Sequence, residues 1–324
     1  MKAAVLTEKG LEIRDVPAPK PKPSEVLVRV KACGLNRAEV MMASGYRHGS
    51  QGGPGTILGL EWSGEVAEVG AEVKHVKQGD RVMCTGNGAY AEYAVADLGR
   101  VVKIPANNMN FEQAATLGIG LQTMHDAIAT QGRMKSGDTV LIQGASAGVG
   151  IIGMQIAKVK GAKLVIGTST NAARRAKLTE HGADLAIDSK DPKWPDQVLE
   201  ATGGKGVDII VDLVSAGVAN DNMRAAAILG RIVNVGRLGG MKGEFDFDLH
   251  ALRRISYIGA TFRTRSIAEV RDIIRKMQDD IWPAVEAGKI SIPIDRVFPL
   301  EEAAAAQAHM RANQHFGKVV LTVA

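Results

Sequence analysis

One segment of this 324-residue chain indicates chemistry most directly: VLIQGASAGVG at residues 140–150, in which an apolar stretch runs into a series of small residues. It follows an apolar stretch and opens a stretch of helical periodicity, the context that a dinucleotide-binding turn requires. Small side chains let the backbone approach a pyrophosphate, and a helix N-terminus offers unpaired N–H groups. The strict G-x-G-x-x-G spacing is not met, and a glycine-rich turn without a ligand is the alternative. The residues predicted to bind the pyrophosphate are Gly144, Ala145, Ala147, Gly148, Val149 and Gly150.

The residues after the second strand indicate which nucleotide binds. An NAD site usually carries an acid about 20 residues beyond the turn, where it holds the ribose hydroxyls. Here the strand ends in GTST, no acid occurs between Asp138 and Glu180, and Arg174, Arg175 and Lys177 follow. An arginine can bind a 2′-phosphate through two charge-assisted hydrogen bonds. We therefore predict NADPH rather than NADH as the cofactor, and a solvated basic helix face is the alternative.

Composition limits the other classes of function. The chain has 40 basic and 35 acidic residues, a net charge of +5 and a pI of about 9.1, but the charges are mixed along its length. Basic and aromatic residues are not interleaved, so nucleic acid is an improbable partner. The two cysteines cannot form a disulfide framework or a cysteine-rich zinc site, which fits a reducing cytoplasm. No secretory signal and no apolar run of about 20 residues is present, so no membrane span is expected.

Patterning predicts an α/β fold with two domains. Residues 1–120 show short alternating strands separated by Gly and Pro clusters, as in a small barrel or sandwich. From residue 138, β-branched strands alternate with helices of about ten residues, which indicates a doubly wound parallel sheet covered on both faces. We place this cofactor-binding domain at residues 122–264. Residues 1–121 and 265–324 form the second domain, because the tail alone is too short to bury a core.

Several segments together resemble the medium-chain dehydrogenase/reductase superfamily. Residues 59–66 (GLEWSGEV), 79–82 (GDRV), 88–93 (GAYAEY) and 33–39 (CGLNRAE) are similar to that superfamily's motifs. The resemblance implies a Rossmann domain plus a GroES-like catalytic domain. Asn36 stands at the first zinc-ligand position of the zinc alcohol dehydrogenases, Leu60 replaces the histidine of G-H-E, and the four-cysteine lobe is absent. Leucine cannot bind a metal and asparagine is a poor zinc ligand, so no metal site is expected.

The chain then most resembles the zinc-independent quinone oxidoreductase branch. It shares with that branch the NRAE segment, an R-x-R pair at residues 263–265 and an N-x-x-x-G-K segment at residues 313–318. The resemblance implies that Asn36 and Tyr46 face the substrate. It also implies a homodimer, paired through the edge strand ISYIGATFR, with a tetramer as the alternative. The residues that it implies for cofactor binding, in addition to the turn, are Thr123, Thr168, Thr170, Arg174, Gly236, Arg263, Asn313 and Lys318.

The resulting hypothesis is hydride transfer from NADPH to a quinone or another conjugated carbonyl, without a metal. Such acceptors delocalise the incoming charge, so they need no Lewis acid. Asn36 and Tyr46 are predicted to donate hydrogen bonds to the carbonyl oxygen, and either Tyr46 or water supplies a proton. The alternatives are an enone or enoyl double-bond reductase, and a non-catalytic NADPH sensor or RNA-binding relative. Trp62 is expected to pack in the barrel near the mouth of the cleft, and its role is left open.

Overall fold

The computed structural model describes residues 1–47, 49, 51–106 and 109–324. The strands are β1 (Lys2–Thr7), β2 (Gly10–Asp15), β3 (Glu25–Gly34), β4 (Glu61–Val69), β5 (Arg81–Thr85), β6 (Tyr93–Asp97), β7 (Val101–Lys103), β8 (Thr139–Gln143), β9 (Leu164–Thr168), β10 (Leu185–Ile187), β11 (Val207–Asp212), β12 (Ala226–Asn234), β13 (Ser256–Gly259), β14 (Ile294–Pro299) and β15 (Lys318–Thr322). The α-helices are α1 (Arg37–Ala43), α2 (Phe111–Ala114), α3 (Gly118–His125), α4 (Gly148–Val159), α5 (Ala172–Arg175), α6 (Trp194–Ala201), α7 (Ala219–Ala225), α8 (Phe247–Arg253), α9 (Ile267–Glu286) and α10 (Ala303–Arg311). A π-helical turn, Asp126–Gln131, follows α3, and short 3-10 turns lie at Leu98–Arg100, Thr179–His181 and Leu300–Glu302.

The chain divides into two compact units. Unit 1 contains Met1–Ile119, Arg263–Asp279 and Val285–Ala324, and unit 2 contains Gly120–Phe262 and Asp280–Ala284. In the described ranges no helix is both long and apolar enough to cross a membrane.

Unit 2 is built on a parallel six-stranded sheet in the order β10-β9-β8-β11-β12-β13. This order reverses direction between β8 and β11, which is where doubly wound sheets bind ligands beyond the strand ends. The strands are apolar on both faces: Leu141, Ile166 and Ile210 are fully buried in a cluster on one face, and Val140, Val165 and Ile209 are fully buried on the other. Such strands need helices on both sides, and the alternating βα connections supply them. The predicted α/β class with a doubly wound parallel sheet is confirmed.

One predicted helix in unit 2 is much shorter than its periodicity indicated. The helical periodicity of NAARRAKLTEHG, residues 171–182, predicts a helix that ends at Gly182, but α5 covers only Ala172–Arg175 before the chain tightens into a 3-10 turn. The Arg175 side chain folds back to the carbonyl oxygen of Ser169, 3.0 Å away, and to Asp188. Gly182 closes the segment at φ +98°, the left-handed conformation that glycine adopts at helix ends.

Unit 1 is β-rich, as the short alternating runs predicted. Its main sheet has the order β14-β15-β3-β4-β5-β7, with β6 also paired to β3, and β1 and β2 form a separate hairpin. Along β3, every second side chain points into the core: Val26, Val28 and Val30 are fully buried. The tail contributes β15, which pairs antiparallel with β3, so the last strand of the chain is built into the N-terminal sheet.

Trp62, whose role the sequence left open, is a core residue of β4. Its side chain is fully buried, and a Cβ added to Gly86 would lie 2.9 Å from its indole ring. The ring therefore fills space that a glycine on the neighbouring segment leaves open. This packing role accounts for the tryptophan without any contact to a ligand.

Candidate functional site

The turn between β8 and α4 is shaped by glycines that no other residue could replace without movement. Gly144 lies at φ +81°, in the left-handed region that L side chains rarely adopt. A Cβ on Gly150 would lie 2.6 Å from the carbonyl oxygen of Ala145 and 2.7 Å from its Cα. The first turn of α4 therefore packs directly on the end of β8. This close approach fits the role of the last glycine in a dinucleotide-binding turn.

The backbone N–H groups at the N-terminus of α4 are not covered by a capping side chain, as binding of a pyrophosphate requires. Ala147 precedes the helix in an extended conformation, and no side chain caps the helix there. Gly148 and Val149 form the first turn, where N–H groups have no partner within a helix. With neither bulk nor a capping oxygen at this end, the residues present fit the phosphates of a nicotinamide nucleotide.

Thr168, at the end of β9, holds the turn in place. Its hydroxyl donates to Gln143 Oε1 at 2.5 Å and accepts from the Gly144 N–H at 2.9 Å. Its carbonyl oxygen accepts from the Ala145 N–H at 2.8 Å. Thr168 is fully buried, so its contribution in this structure is to shape the turn from behind.

Two serines that the sequence reasoning missed extend this link. Ser169 Oγ donates to Ser146 Oγ at 3.0 Å and thereby joins the end of β9 to the tip of the turn. Thr170, which was predicted to bind cofactor, is exposed beside Ser169. The sequence could have indicated this pair, because a serine follows shortly after the end of each of the two strands, β8 and β9.

The basic residues after β9 differ in what they already bind. Arg175 forms an ion pair with Asp188 at 2.9 Å and also donates to the carbonyl oxygen of Ser169. The backbone N–H of Arg174 donates to Asn171 Oδ1 at 3.0 Å, and the residue is half-buried. Arg175 is thus committed to a structural ion pair.

The ends of β11 and β12 meet at Gly236. Its N–H donates to the carbonyl oxygen of Asp212 at 3.0 Å, and a Cβ there would lie 2.5 Å from the Leu213 carbonyl oxygen. Asp212 is fully buried, and burial raises the pKa of its carboxyl group. Gly236 therefore permits two strand ends to pack closely at the edge where doubly wound sheets bind nucleotides.

Thr123, which the resemblance implied for cofactor binding, lies half-buried on α3.

In unit 1, the Asn36 side chain is at the centre of a buried polar network. Its Nδ2 donates to the Gly34 carbonyl oxygen at 3.2 Å and to Glu61 Oε1 at 3.0 Å. Its Oδ1 accepts from Lys318 Nζ at 2.9 Å. An amide has two donor protons, and both are used here.

The cation of this network is Lys318, which the resemblance had implied for cofactor binding. Its ammonium donates to the Leu35 carbonyl oxygen at 2.8 Å, to Asn36 Oδ1 and to Glu61 Oε1, so its three protons are committed. Lys318 is 5% exposed and Glu61 is fully buried. The second oxygen of Glu61 accepts from the Ile119 N–H at 2.9 Å.

A second carboxyl group, Glu39 on α1, lies in the same part of unit 1 and is fully buried. It accepts from the N–H groups of Asn36 and Leu60 and from the hydroxyl of Tyr90, each at 2.7 Å. Burial raises the pKa of Glu39 to about 7, and those hydrogen bonds oppose part of the rise. Glu39 therefore fixes the backbone at both Asn36 and Leu60.

Tyr46 lies just beyond α1 and is half-buried. Its N–H donates to the Met41 carbonyl oxygen at 3.0 Å, and Arg263 Nη1 donates to its hydroxyl at 2.7 Å. Gly52, at φ +113°, brings the loop back so closely that a Cβ there would lie 2.8 Å from the Tyr46 carbonyl oxygen. The structure therefore brings together two predicted site residues, Tyr46 and Arg263, that are far apart in sequence.

Asn313 is hydrogen-bonded to Arg37, the first residue of helix α1. Its Oδ1 accepts from Arg37 Nη2 at 3.1 Å, and Arg37 Nη1 donates to the Met310 carbonyl oxygen at 3.3 Å. Asn313 adopts φ +54° at the end of α10, a conformation that asparagine tolerates better than most residues. Arg37 was not predicted as a site residue.

The described residues contain no group of three or more His, Cys, Asp or Glu side chains placed to hold a metal ion. At the two positions of interest, Asn36 is engaged by Lys318 and Glu61, and the Leu60 side chain has no ligating atom.

Comparison with known proteins agrees with this geometry. A family model described as the alcohol dehydrogenase GroES-like domain matches residues 22–106, and one described as zinc-binding dehydrogenase matches residues 148–279. A quinone oxidoreductase of Pseudomonas aeruginosa is 34% identical over 320 residues, which cover 96% of this chain and 95% of that protein. The chain belongs to the medium-chain dehydrogenase/reductase superfamily. Its β-rich unit 1 contains the GroES-like domain that the motifs predicted.

Solved structures give the same family and bear on the cofactor. A quinone oxidoreductase of Pseudomonas syringae superposes with a TM-score of 0.86 at 29% identity and covers 99% of this chain and 100% of its own. A structure described as an NAD-dependent alcohol dehydrogenase superposes with a TM-score of 0.87 at 31% identity, with complete coverage of both chains. The protein is therefore an oxidoreductase of the quinone oxidoreductase type in a family that binds NAD or NADP.

Proposed function

We propose that this protein is an NADPH-dependent quinone oxidoreductase that works without a metal ion. The observation that carries the proposal is the network around Asn36, at the position where zinc alcohol dehydrogenases have their first catalytic ligand. There Asn36 and Glu61 are held by the ammonium group of Lys318. A fixed internal cation thus occupies the polar groups that a metal would otherwise require.

The choice of NADPH rests on the end of β9. No acid occupies the place where a carboxylate would hold the ribose hydroxyls of NAD, since the strand ends in Thr168, Ser169 and Thr170. The nearby Asp188 is paired with Arg175. Arg174 is then the residue proposed to bind the 2′-phosphate, while the turn from Gly144 to Gly150 binds the pyrophosphate.

The choice of acceptor follows from the chemistry of the residues at the zinc-ligand positions, because Leu60 has no ligating atom and the Asn36 side chain is engaged by Glu61 and Lys318. Reducing a simple aldehyde generates a localised alkoxide, which a bound metal normally stabilises. A quinone or an enone spreads the incoming charge over a conjugated system and needs less help. When bound, the nicotinamide supplies the hydride, and the protein has to orient both reactants and exclude water.

We also propose that two copies of the chain associate through unit 2. β13 is the last strand of its sheet, and an unpaired strand edge favours pairing with another chain. The neighbouring elements β12 and α8 expose large apolar side chains: Ile228 is 59% exposed, Leu229 60%, Phe247 78% and Leu252 73%. Phe247→Asp with Leu252→Asp should therefore convert a dimer to a monomer in sedimentation velocity. Ile267→Asp, which changes a similarly exposed residue in unit 1, should not; a wild-type monomer would contradict the proposal.

The compartment proposed is the reducing cytoplasm. Both cysteines, Cys33 and Cys84, are free and buried. Burial raises the pKa of each thiol, so neither is activated for oxidation.

The proposed function is tested by following oxidation of NADPH and NADH in parallel with a panel of quinones and enones. We expect turnover of quinones, with a higher kcat/KM for NADPH than for NADH. Turnover confined to enones would favour a double-bond reductase. Tight NADPH binding with no turnover on any acceptor would favour a sensor or RNA-binding role and would contradict the proposal.

A further inference from the structure

The two residues predicted to face the acceptor, Asn36 and Tyr46, differ in the protons that they have to offer. Both Nδ2 protons of Asn36 already bind protein oxygens, those of Gly34 and Glu61. For Asn36 to donate to an acceptor, one of those bonds would have to break inside a largely buried network. Asn36 is therefore a poor donor to a substrate oxygen.

Tyr46 is in the opposite position. A phenol has one donor proton and also accepts, whereas a guanidinium group only donates. Because Arg263 Nη1 donates to the Tyr46 oxygen at 2.7 Å, the Tyr46 proton cannot point at Arg263. Within the described part of the chain no protein acceptor is recorded for that proton. It is directed elsewhere and is available to the oxygen of a bound molecule.

Arg263 also changes the quality of this donor. Arginine is always charged, and a charged donor on a phenol oxygen withdraws electron density and strengthens the O–H as a donor. The cation would then lie two hydrogen bonds away from the acceptor oxygen, on which negative charge develops, with Tyr46 between them.

We propose that Arg263 is a positioning residue that orients the Tyr46 hydroxyl toward the carbonyl oxygen of the acceptor, and that it does not bind the cofactor. The inference rests on the proposed function and assigns the acceptor recognition to Tyr46 with Arg263. Asn36 belongs instead to the internal network with Lys318.

A double-mutant cycle tests the proposal. The variants are Tyr46→Phe, Arg263→Met, the double variant and Arg263→Lys, all assayed with NADPH and 1,4-benzoquinone. We expect Tyr46→Phe and Arg263→Met each to lower kcat by about a hundredfold, at the low end for loss of one oxyanion donor. The double variant should be no slower than Tyr46→Phe, and Arg263→Lys, which keeps a cationic donor, should recover part of the rate.

The NADPH dissociation constant, measured by fluorescence titration, separates this role from a role in cofactor binding. It should stay within about twofold of wild type in every variant, as for residues that do not touch the nucleotide. Arg265→Met is the matched control, since Arg265 lies two residues further on and faces Glu269 at 3.9 Å; it should leave kcat unchanged.

Two results would overturn the inference while leaving the proposed function intact. One is a raised NADPH dissociation constant in Arg263→Met, and the other is an Arg263→Met effect that persists in full in the Tyr46→Phe background. Wild-type protein with no quinone turnover would instead overturn both the inference and the proposed function.

Discussion

Lys318→Met is the substitution whose effect the structure predicts most fully. Lys318 is 5% exposed, and its ammonium group is the cationic partner of Glu61, which is fully buried. After the substitution, the partners that Glu61 keeps among the described residues are neutral donors, Asn36 Nδ2 and the Ile119 N–H. Removing one partner of a buried ion pair costs roughly 3–5 kcal/mol, because the remaining charge stays uncompensated. The free energy of unfolding of unit 1 should fall by that amount.

Urea unfolding followed by the fluorescence of Trp62, which is buried in the same unit, measures this change when Trp194 and Trp282 are replaced by Phe in every variant, so that Trp62 alone reports. The control is Lys276→Met, which breaks an exposed pair with Asp272 on α9 and should leave the free energy of unfolding nearly unchanged. The double variant Glu61→Gln with Lys318→Met removes both charges and should recover much of the loss. A Lys318→Met variant as stable as Lys276→Met would refute the reasoning, because it would show that the ammonium group does not compensate Glu61.

Further predictions concern the nucleotide turn and the buried acid of α1. Arg174→Ala should raise KM for NADPH at least tenfold and leave KM for NADH nearly unchanged, since only NADPH has the 2′-phosphate; equal effects would contradict the assignment. Gly150→Ala should cost about 1–3 kcal/mol and weaken NADPH binding, because its Cβ would clash with Ala145; Gly137→Ala, with open space around it, should lose only about 1–2 kcal/mol for its φ of +92° and bind normally. Because burial raises the pKa of Glu39 from 4.5 to about 7, its protonated form is the one that folding favours, and stability should fall by about 3 kcal/mol as the pH rises from about 4.5 to above 7. Glu39→Gln should flatten that dependence in urea titrations across the same pH range, and an unchanged slope would exclude Glu39 as its source.

Local features of the fold were predictable from the sequence. The turn after β8 was recognisable because all the residue types that its conformation requires lie within eleven consecutive residues. The clash that a Cβ on Gly150 would make with Ala145 explains why glycine is needed there. The parallel sheet was recognisable from apolar strands that alternate with helices. The helix after β9 was overpredicted, because its end depends on Arg175 reaching Ser169 and Asp188, contacts that periodicity does not encode.

The contacts of the candidate site could not be read from local patterns. Asn36 and Lys318 are separated by 282 positions in the chain, and Tyr46 and Arg263 by 217. Residue type indicated that Asn36 can donate a hydrogen bond, but only the fold shows that both its protons are already used. Glu39 appeared in the sequence only as part of the NRAE segment, and only the fold shows that three donors surround it in the core.

The central claim is that hydride passes from NADPH to a conjugated carbonyl without a metal ion. The most direct measurement is the kcat for 1,4-benzoquinone with NADPH, using enzyme dialysed against a chelator and with its zinc content determined by mass spectrometry. We predict full turnover at less than about one zinc per hundred chains, because the ammonium group of Lys318 already compensates Glu61 and holds Asn36. Loss of turnover on dialysis, with recovery in proportion to the zinc added back, would contradict the claim.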